Sequence, residues 1–220
     1  MQYITFISTV HEEIGKCNSD ELCKIIESIS PEVVFLEALD DTYSNYEHYL
    51  FSSWGTYHNK LEIKAIQRYF TNTSFEYVPV LDSALFGAFD KKSNIICQCI
   101  EFQKLLNNFQ CLACELGFEF LNSTDSIRLY EQMTILGNSL LTQTLNKAVD
   151  DDIDAYENSM LRNIGSYCRK NQFNRGIFMC GVAHRKSILG KINKFNSQEQ
   201  ENVNWMIYNS SLTELRTTEI

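Results

Sequence analysis

Short apolar runs alternate with amphipathic stretches along the first third of this chain. The runs at 3–9 and 32–36 are continuous rather than alternating, which is typical of strands buried on both faces. Between them, Ser19 and two acidic residues begin an amphipathic stretch that ends at Pro31, as expected of a helix. This order of strand, helix and strand predicts a βαβ unit with parallel strands.

The same pattern continues to the end of the chain. A further strand is predicted at 75–81, where Pro79 favours an edge position or a bulge. The remaining predicted elements are a helix at 61–70, a helical stretch from about 94 to 172, a strand at 176–180, a helix at 186–195 and a last strand at 203–208. We therefore predict a single α/β domain over 1–220, with a mainly parallel central sheet flanked by helices. The insertion at 94–172 is predicted to form a helical cap over the sheet.

Composition and charge narrow the class of protein. A chain of 220 residues, 44% hydrophobic and 21% charged, can bury one sizeable core. The net charge of −9 argues against nucleic acid as a partner, because there is no excess of lysine and arginine to contact phosphates. The N-terminal residues lack a basic region, and no apolar stretch approaches the roughly 20 residues of a membrane span. We expect a cytoplasmic protein; the pattern does not address its oligomeric state.

The eight cysteines lie mostly inside helix-like or strand-like apolar patterns, so reduced and mostly buried thiols are expected. A zinc site made by Cys97, Cys99, Cys111 and Cys114 is the alternative. The residues between these pairs have a helical pattern rather than the tight turns typical of structural zinc sites. The segment 40–60, rich in tyrosine, serine and asparagine, is predicted to be a loop or an irregular helix, with His48 and His58 at the surface.

Two similar endings follow the predicted buried strands near the start and the end of the chain. Ser8-Thr9-Val10-His11 and Gly181-Val182-Ala183-His184 each consist of a small residue, two spacers and a histidine. The chain has only four histidines, and these two share one context. Because ligands of parallel sheets bind beyond the carboxyl ends of the strands, we expect both imidazoles in one site.

Further polar residues follow the predicted strands at the same edge. Glu37 comes directly after a buried strand, where a carboxylate needs a partner or a metal. Asp82 ends the next strand and could equally cap a helix, and Glu12 is the weakest candidate, since acidic residues after a strand are commonly solvated. Arg185 could stabilise an anionic intermediate. Imidazoles and carboxylates at one rim suit either a divalent metal or general acid–base chemistry without one.

These endings belong to a set of short motifs that occur in one order in a known superfamily. The motifs are Ser8-Thr9-Val10-His11, Phe35-Leu36-Glu37, Glu62-Ile63-Lys64-Ala65-Ile66, Pro79-Val80-Leu81-Asp82, Tyr156-Glu157-Asn158-Ser159-Met160-Leu161-Arg162-Asn163-Ile164 and Gly181-Val182-Ala183-His184. In them the chain resembles the TraB/Tiki proteins, with the erythromycin esterases and the haem-binding ChaN-like proteins. Ser8 replaces the glycine of the motif, Asp82 follows one extra residue, and Tyr156 replaces an arginine that in relatives would help orient a carboxylate or substrate.

The resemblance implies three different activities. Tiki-like members are metal-dependent peptidases that use the two histidines and the glutamate, here His11, His184 and Glu37, with a divalent metal of the Mn, Co or Zn class. The esterases are hydrolases in which a histidine activates water without a required metal, and ChaN-like members bind haem. From the residues and the resemblance together, we expect a hydrolase that cleaves a peptide, amide or ester bond of a small-molecule or peptide substrate. The alternative is a non-catalytic ligand- or haem-binding protein of the same fold.

The expected site has a centre and a periphery. His11, Glu37, His184 and Arg185 are the predicted catalytic residues, and the first three are also the predicted metal ligands. The residues expected to contact substrate or to support this centre are Ser8, Glu12, Asp82, Tyr156, Glu157 and Asn163.

Overall fold

The computed structural model describes residues 1–39, 60–70, 73–83, 87–197 and 203–209. His48, His58 and most of the predicted loop at 40–60 lie outside the described residues. The strands are β1 (Gln2–Thr9), β2 (Val33–Leu39), β3 (Glu76–Leu81), β4 (Arg175–Gly181) and β5 (Val203–Ile207). The helices are α1 (Ser19–Ile29), α2 (Leu61–Phe70), α3 (Ala88–Ile96), α4 (Ile100–Leu116), α5 (Phe118–Leu121), α6 (Thr124–Ser139), α7 (Gln143–Lys170) and α8 (Arg185–Ser197), with a 3-10 turn at Val182–His184.

All five strands form one parallel sheet in the order β3-β2-β4-β1-β5. The predicted α/β fold with a parallel central sheet is therefore confirmed. β4 enters the sheet between β1 and β2, so these three strands are its centre. β3 is an edge strand, as Pro79 predicted, because the edge tolerates a residue without a backbone N–H.

Helices cover both faces of the sheet, which explains the continuous apolar runs of the strands. On one face, Ile7 and Met179 pack in a cluster with residues of α1, α2, α4, α5 and α6. On the other, Phe6 and Phe178 stack with their ring centroids 5.5 Å apart, in a cluster with residues of α7 and α8. Burial of the sheet on both sides is the main source of stability for such a fold.

The boundaries of α1 are set by local capping. Asn18, one residue before the predicted start, accepts a hydrogen bond from the amide of Glu21 at 3.0 Å and is the N-cap. Ser30, in the left-handed region with φ 50°, ends the helix just before Pro31.

The helical stretch between β3 and β4 contributes to both layers. It runs from Ala88 at the start of α3 to Lys170 at the end of α7, so it begins and ends earlier than the predicted 94–172, and α7 is its longest helix with 28 residues. α4 to α6 belong to one hydrophobic cluster and α7 to the other. That this stretch caps a site, and that the chain is one domain, stay predictions. Among the described residues, no helix combines the length and the apolar character needed to cross a bilayer.

All eight cysteines are free thiols, and four of them are buried: Cys17, Cys23, Cys168 and Cys180. The expectation of mostly buried thiols thus holds for half of them. The four cysteines of the zinc alternative are the partly or fully exposed ones, on or beside α3 and α4. Within the described ranges, no three histidine, cysteine or acidic side chains are grouped so as to hold a metal ion.

Candidate active site

The three central strands bring His11, Glu37 and His184 to one edge of the sheet. β1 and β4 are paired up to Thr9 and Gly181, so the two histidines follow neighbouring strands. Glu37 was predicted to follow its strand, but β2 continues to Leu39, and Glu37 lies inside it. The pairing of β2 with β4 ends at Leu36, and its register with β3 shifts just beyond that residue. Glu37 therefore lies where the regular ladder ends.

Glu37 is the buried carboxylate at the centre of this group. Its Oε2 accepts a hydrogen bond from the amide of Gly181 at 2.6 Å, and its Oε1 accepts one from the hydroxyl of Tyr156 at 2.7 Å. Nε2 of His184 lies 3.6 Å from the same Oε1. Burial alone would raise the pKa of Glu37, but His184, the Gly181 amide, His11 and the Tyr156 hydroxyl together hold it below its usual value.

His184 is held from its other side by Glu157 of α7. Nδ1 of His184 lies 2.9 Å from Oε1 of Glu157, which is almost completely buried. The other Glu157 oxygen accepts hydrogen bonds from Ser187 and, at 2.9 Å, from Nζ of Lys191. Burial opposes ionisation of Glu157, yet these three partners lower its pKa. Glu157 is therefore an ionised acceptor that fixes the orientation of the ring.

His11 has the same arrangement with a glutamate from the opposite helix layer. Its Nδ1 lies 3.1 Å from Oε1 of Glu62, at the start of α2, and Thr9 donates to that oxygen at 2.6 Å. The hydrogen bond to Glu62 raises the pKa of His11, while burial partly opposes the shift. A Cβ atom built on Gly181 would lie 3.6 Å from Nε2 of His11 and 3.2 Å from Oε2 of Glu37. Both atoms thus border the space that the missing side chain of Gly181 leaves open.

The two histidines therefore form one pattern. Each has Nδ1 on a buried glutamate, and each presents Nε2 to the region of Glu37 and Gly181. In the neutral ring, a carboxylate partner favours the tautomer with the proton on Nδ1, which leaves a lone pair on Nε2, whereas a protonated ring donates from both nitrogens. Glu62 was not among the predicted site residues. The signal that could have found it was the Glu-x-x-Ala-Ile motif, which was noted without a role.

Tyr156 and Glu157 are peripheral residues that the structure does bring to the centre. The ring of Tyr156 stacks on that of His184, with centroids 5.3 Å apart and planes 27° apart. Burial and the neighbouring Glu37 raise the pKa of Tyr156, so its hydroxyl stays a donor. The related motif has an arginine at the position of Tyr156. Tyr156 is neutral, but its hydroxyl still orients the carboxylate of Glu37.

Arg185 is directed elsewhere, although it follows His184 directly. Its buried guanidinium donates to Oγ of Ser8 at 3.1 Å, to Oδ1 of Asn122 at 2.8 Å and to the Asn122 carbonyl at 2.7 Å. Asn122 in turn bonds to the backbone amide and carbonyl of Ser8, on the edge of β1 beyond its pairing with β5. Arg185 and Ser8 thus join strand ends to α5, and this placement gives no support to the predicted oxyanion role.

Within the described part of the chain, the last predicted residues make no side-chain hydrogen bond or ion pair with Glu37 or the two imidazoles, and Asp82 and Asn163 bond to each other instead. Asp82 accepts from Nδ2 of Asn163 at 2.7 Å and forms an ion pair with Arg162, so it joins the end of β3 to α7. The next helix in the described part of the chain, α3, begins at Ala88 with Gly87 as its N-cap. Glu12 is exposed to solvent. Beside the centre, the buried Cys180 is a poor nucleophile, since burial and Glu37 raise the pKa of its thiol.

The contacts of the described residues bear on the predicted metal and on the haem alternative. His11, Glu37 and His184 are not grouped as a metal ligand set, and both oxygens of Glu37 already accept hydrogen bonds. As placed, the described residues do not fit the predicted metal. The haem alternative also finds no support in these contacts, because Tyr156 uses its hydroxyl on Glu37 and its ring on His184.

Comparisons of the chain with protein-family models, with curated proteins and with solved structures gave no match. The resemblance to the TraB/Tiki group therefore rests on the short motifs quoted above.

Proposed function

We propose that this protein is a hydrolase that cleaves an ester, amide or peptide bond with water activated between His11, Glu37 and His184. One observation carries the proposal. Two imidazoles, each held at Nδ1 by a buried glutamate, present Nε2 to the same space beside a third, ionised glutamate. Fixed imidazoles with a free nitrogen are the usual groups for general acid–base catalysis.

The environments of the histidines favour different roles. The raised pKa of His11 favours its protonated form, which suits it to stabilise the negative charge on a tetrahedral intermediate. His184 is the general base in this proposal. Its Nε2 takes a proton from water while the oxygen attacks the carbonyl carbon. Collapse of the intermediate then breaks the bond to the leaving alcohol or amine, which receives the proton from His184.

The two glutamates beside His184 support that role. When His184 accepts a proton, its ring becomes positive between Glu157 and Glu37. Glu157 orients the ring and, with Glu37, stabilises its charge, as a carboxylate does for the histidine of a catalytic triad. His11 is the more exposed of the two rings, so the substrate is proposed to approach from its side.

The test is a hydrolysis screen with a matched set of variants. Activated esters, aryl amides, lactones and short peptides are offered to the wild type, to His11→Ala, to His184→Ala and to Glu12→Ala. We expect each histidine variant to lose about 100-fold or more of kcat, the range for removal of a general acid or base. Glu12→Ala is the control, because Glu12 adjoins His11 in the chain and is exposed. Melting curves check that the variants remain folded.

Two outcomes would contradict the proposal. Full activity in both histidine variants would exclude them as the catalytic pair. No turnover on any substrate, together with saturable binding of a ligand such as haem with a Soret band, would favour the non-catalytic alternative. Elemental analysis and chelator treatment of the active wild type check the metal-free mechanism, which predicts no loss of activity on metal removal.

A further inference from the structure

One oxygen of Glu37 faces two groups that could donate to it. Oε1 accepts the Tyr156 hydroxyl at 2.7 Å, and Nε2 of His184 lies 3.6 Å from the same atom. The first distance is that of a good hydrogen bond and the second is too long for one. Tyr156 therefore holds Oε1 in a hydrogen bond at a position too far from Nε2 of His184 for a second one.

The hydroxyl and the ring of Tyr156 act on the two partners at once. The ring stacks on His184, and the hydroxyl fixes the carboxylate that faces the same ring. Without the hydroxyl, Oε1 would be a buried carboxylate oxygen lacking a short hydrogen bond, which is costly. A donating Nε2 of His184 is the replacement close at hand, because a shift of less than 1 Å would bring it within hydrogen-bond distance. Glu157 and Glu37 would then hold both nitrogens of the ring.

We infer that Tyr156 is a positioning residue that keeps the Glu37 carboxylate from closing onto Nε2 of His184, and so leaves that nitrogen free to accept a proton from water. This inference rests on the proposed hydrolytic function, in which His184 is the base. It gives Tyr156 a role through Glu37 and His184 rather than through contact with substrate. The separation of 3.6 Å is then a functional feature of the site.

Tyr156→Phe tests the inference, because it removes the hydroxyl and keeps the stacked ring. We expect kcat to fall about 10- to 100-fold, the usual cost of losing an outer hydrogen-bond partner, with KM changed less than about 3-fold. The matched control is Tyr167→Phe. Tyr167 also lies on α7 and also donates to a glutamate, Glu76 of β3, on an exposed part of the molecule. Tyr167→Phe should leave kcat unchanged.

A second measurement does not depend on turnover. Proton–nitrogen correlation spectra of the histidine rings distinguish a bare Nε2 from one that carries a hydrogen-bonded proton. We expect a bare Nε2 of His184 in the wild type and in Tyr167→Phe, and a protonated one in Tyr156→Phe. In a Glu37→Ala background, Tyr156→Phe should produce no such change, because the competing acceptor is gone.

The two measurements separate this inference from the proposed function. The expected spectral change supports the positioning role even if no substrate is hydrolysed, in which case the hydrolase proposal alone fails. An unchanged His184 signal in folded Tyr156→Phe would overturn the inference, whatever the screen shows. So would a spectral change with kcat unaffected, since the contact would then have no catalytic consequence.

Discussion

The two halves of the site make the same contact in different surroundings. On the β1 side, the side chain of His11 is 47% exposed and its partner Glu62 comes from the helix layer of α2. On the β4 side, the side chain of His184 is 10% exposed and its partner Glu157 comes from the layer of α7. One helix layer on each face of the sheet thus supplies one glutamate to one histidine.

Glu157 and Glu62 differ in how many of their carboxylate oxygens accept a hydrogen bond. Glu157 bonds to His184, Ser187 and Lys191, so both of its oxygens are used. Oε2 of Glu62 is buried and has no hydrogen-bond partner among the described residues. The difference teaches that the buried half is built as a fixed network and the exposed half as a looser one. This fits the proposed roles, in which His184 is a base held in place and His11 is a cation that meets the substrate.

The largest expected effect is on the free energy of unfolding, and it distinguishes Glu157 from Glu62. Glu157→Gln should lower the free energy of unfolding by about 2–4 kcal/mol, because the part-buried Lys191 keeps only the exposed Asp154 as a charge partner and Nδ1 of His184 loses its ionised acceptor. Glu62→Gln should cost about 1 kcal/mol or less, since the amide oxygen can still accept from Thr9 and His11. Urea unfolding of both variants measures the difference. A larger loss for Glu62→Gln would reverse the comparison.

Substitution of Arg185 tests whether its contacts near the end of β1 help to hold the His11 half and the His184 half of the site together. Arg185→Met should lower the free energy of unfolding by about 1–3 kcal/mol, because Ser8 and the Asn122 carbonyl lose a buried partner. The control is Lys186→Met at the next position, an exposed residue with a surface ion pair to Glu131, which should change stability by less than about 0.5 kcal/mol. Equal effects of the two substitutions would show that the buried contacts of Arg185 are not needed.

The smallest expected effect concerns the loop that follows His11. Glu13 accepts from Ser19 and forms an ion pair with Lys64 at 2.7 Å, and these partners lower its pKa from 4.5 to about 2. A carboxylate with a lowered pKa stabilises the folded state above its unfolded pKa, and the contribution is lost as the pH falls through the folded pKa. Glu13→Gln should cost less than about 1 kcal/mol at pH 7, because the pair is partly exposed.

The pH dependence makes that prediction specific. The stability difference between wild type and Glu13→Gln should be constant above about pH 5 and should shrink between about pH 5 and pH 2. Denaturant unfolding at a series of pH values measures it. A difference that grows on acidification would show that Glu13 does not contribute through its ionised form.

The local chain pattern determined much of the fold. Continuous apolar runs marked the buried strands, and Pro79 marked the edge of the sheet, because both signals depend on a residue's immediate chemistry. The same signals could not show that β2 runs past Glu37. In a sequence, an acidic residue buried inside a strand cannot be distinguished from one that follows the strand. The apolar pattern around Cys111 and Cys114 predicted buried thiols. Both are exposed, because they lie on the solvent-facing side of the amphipathic helix α4.

The sequence by itself determined that two histidines follow strands, that a glutamate lies near the end of a third, and that parallel strands place such residues at one edge. Only the tertiary structure decided which side chains hold them. Glu62 and Glu157 are 95 positions apart and come from opposite layers, so no local pattern pairs them with His11 and His184. Arg185, next to His184 in the chain, turns instead to Ser8 and Asn122. Residues that are adjacent in the chain lie close together along the backbone. The direction of each side chain depends instead on the partners that distant elements bring to it.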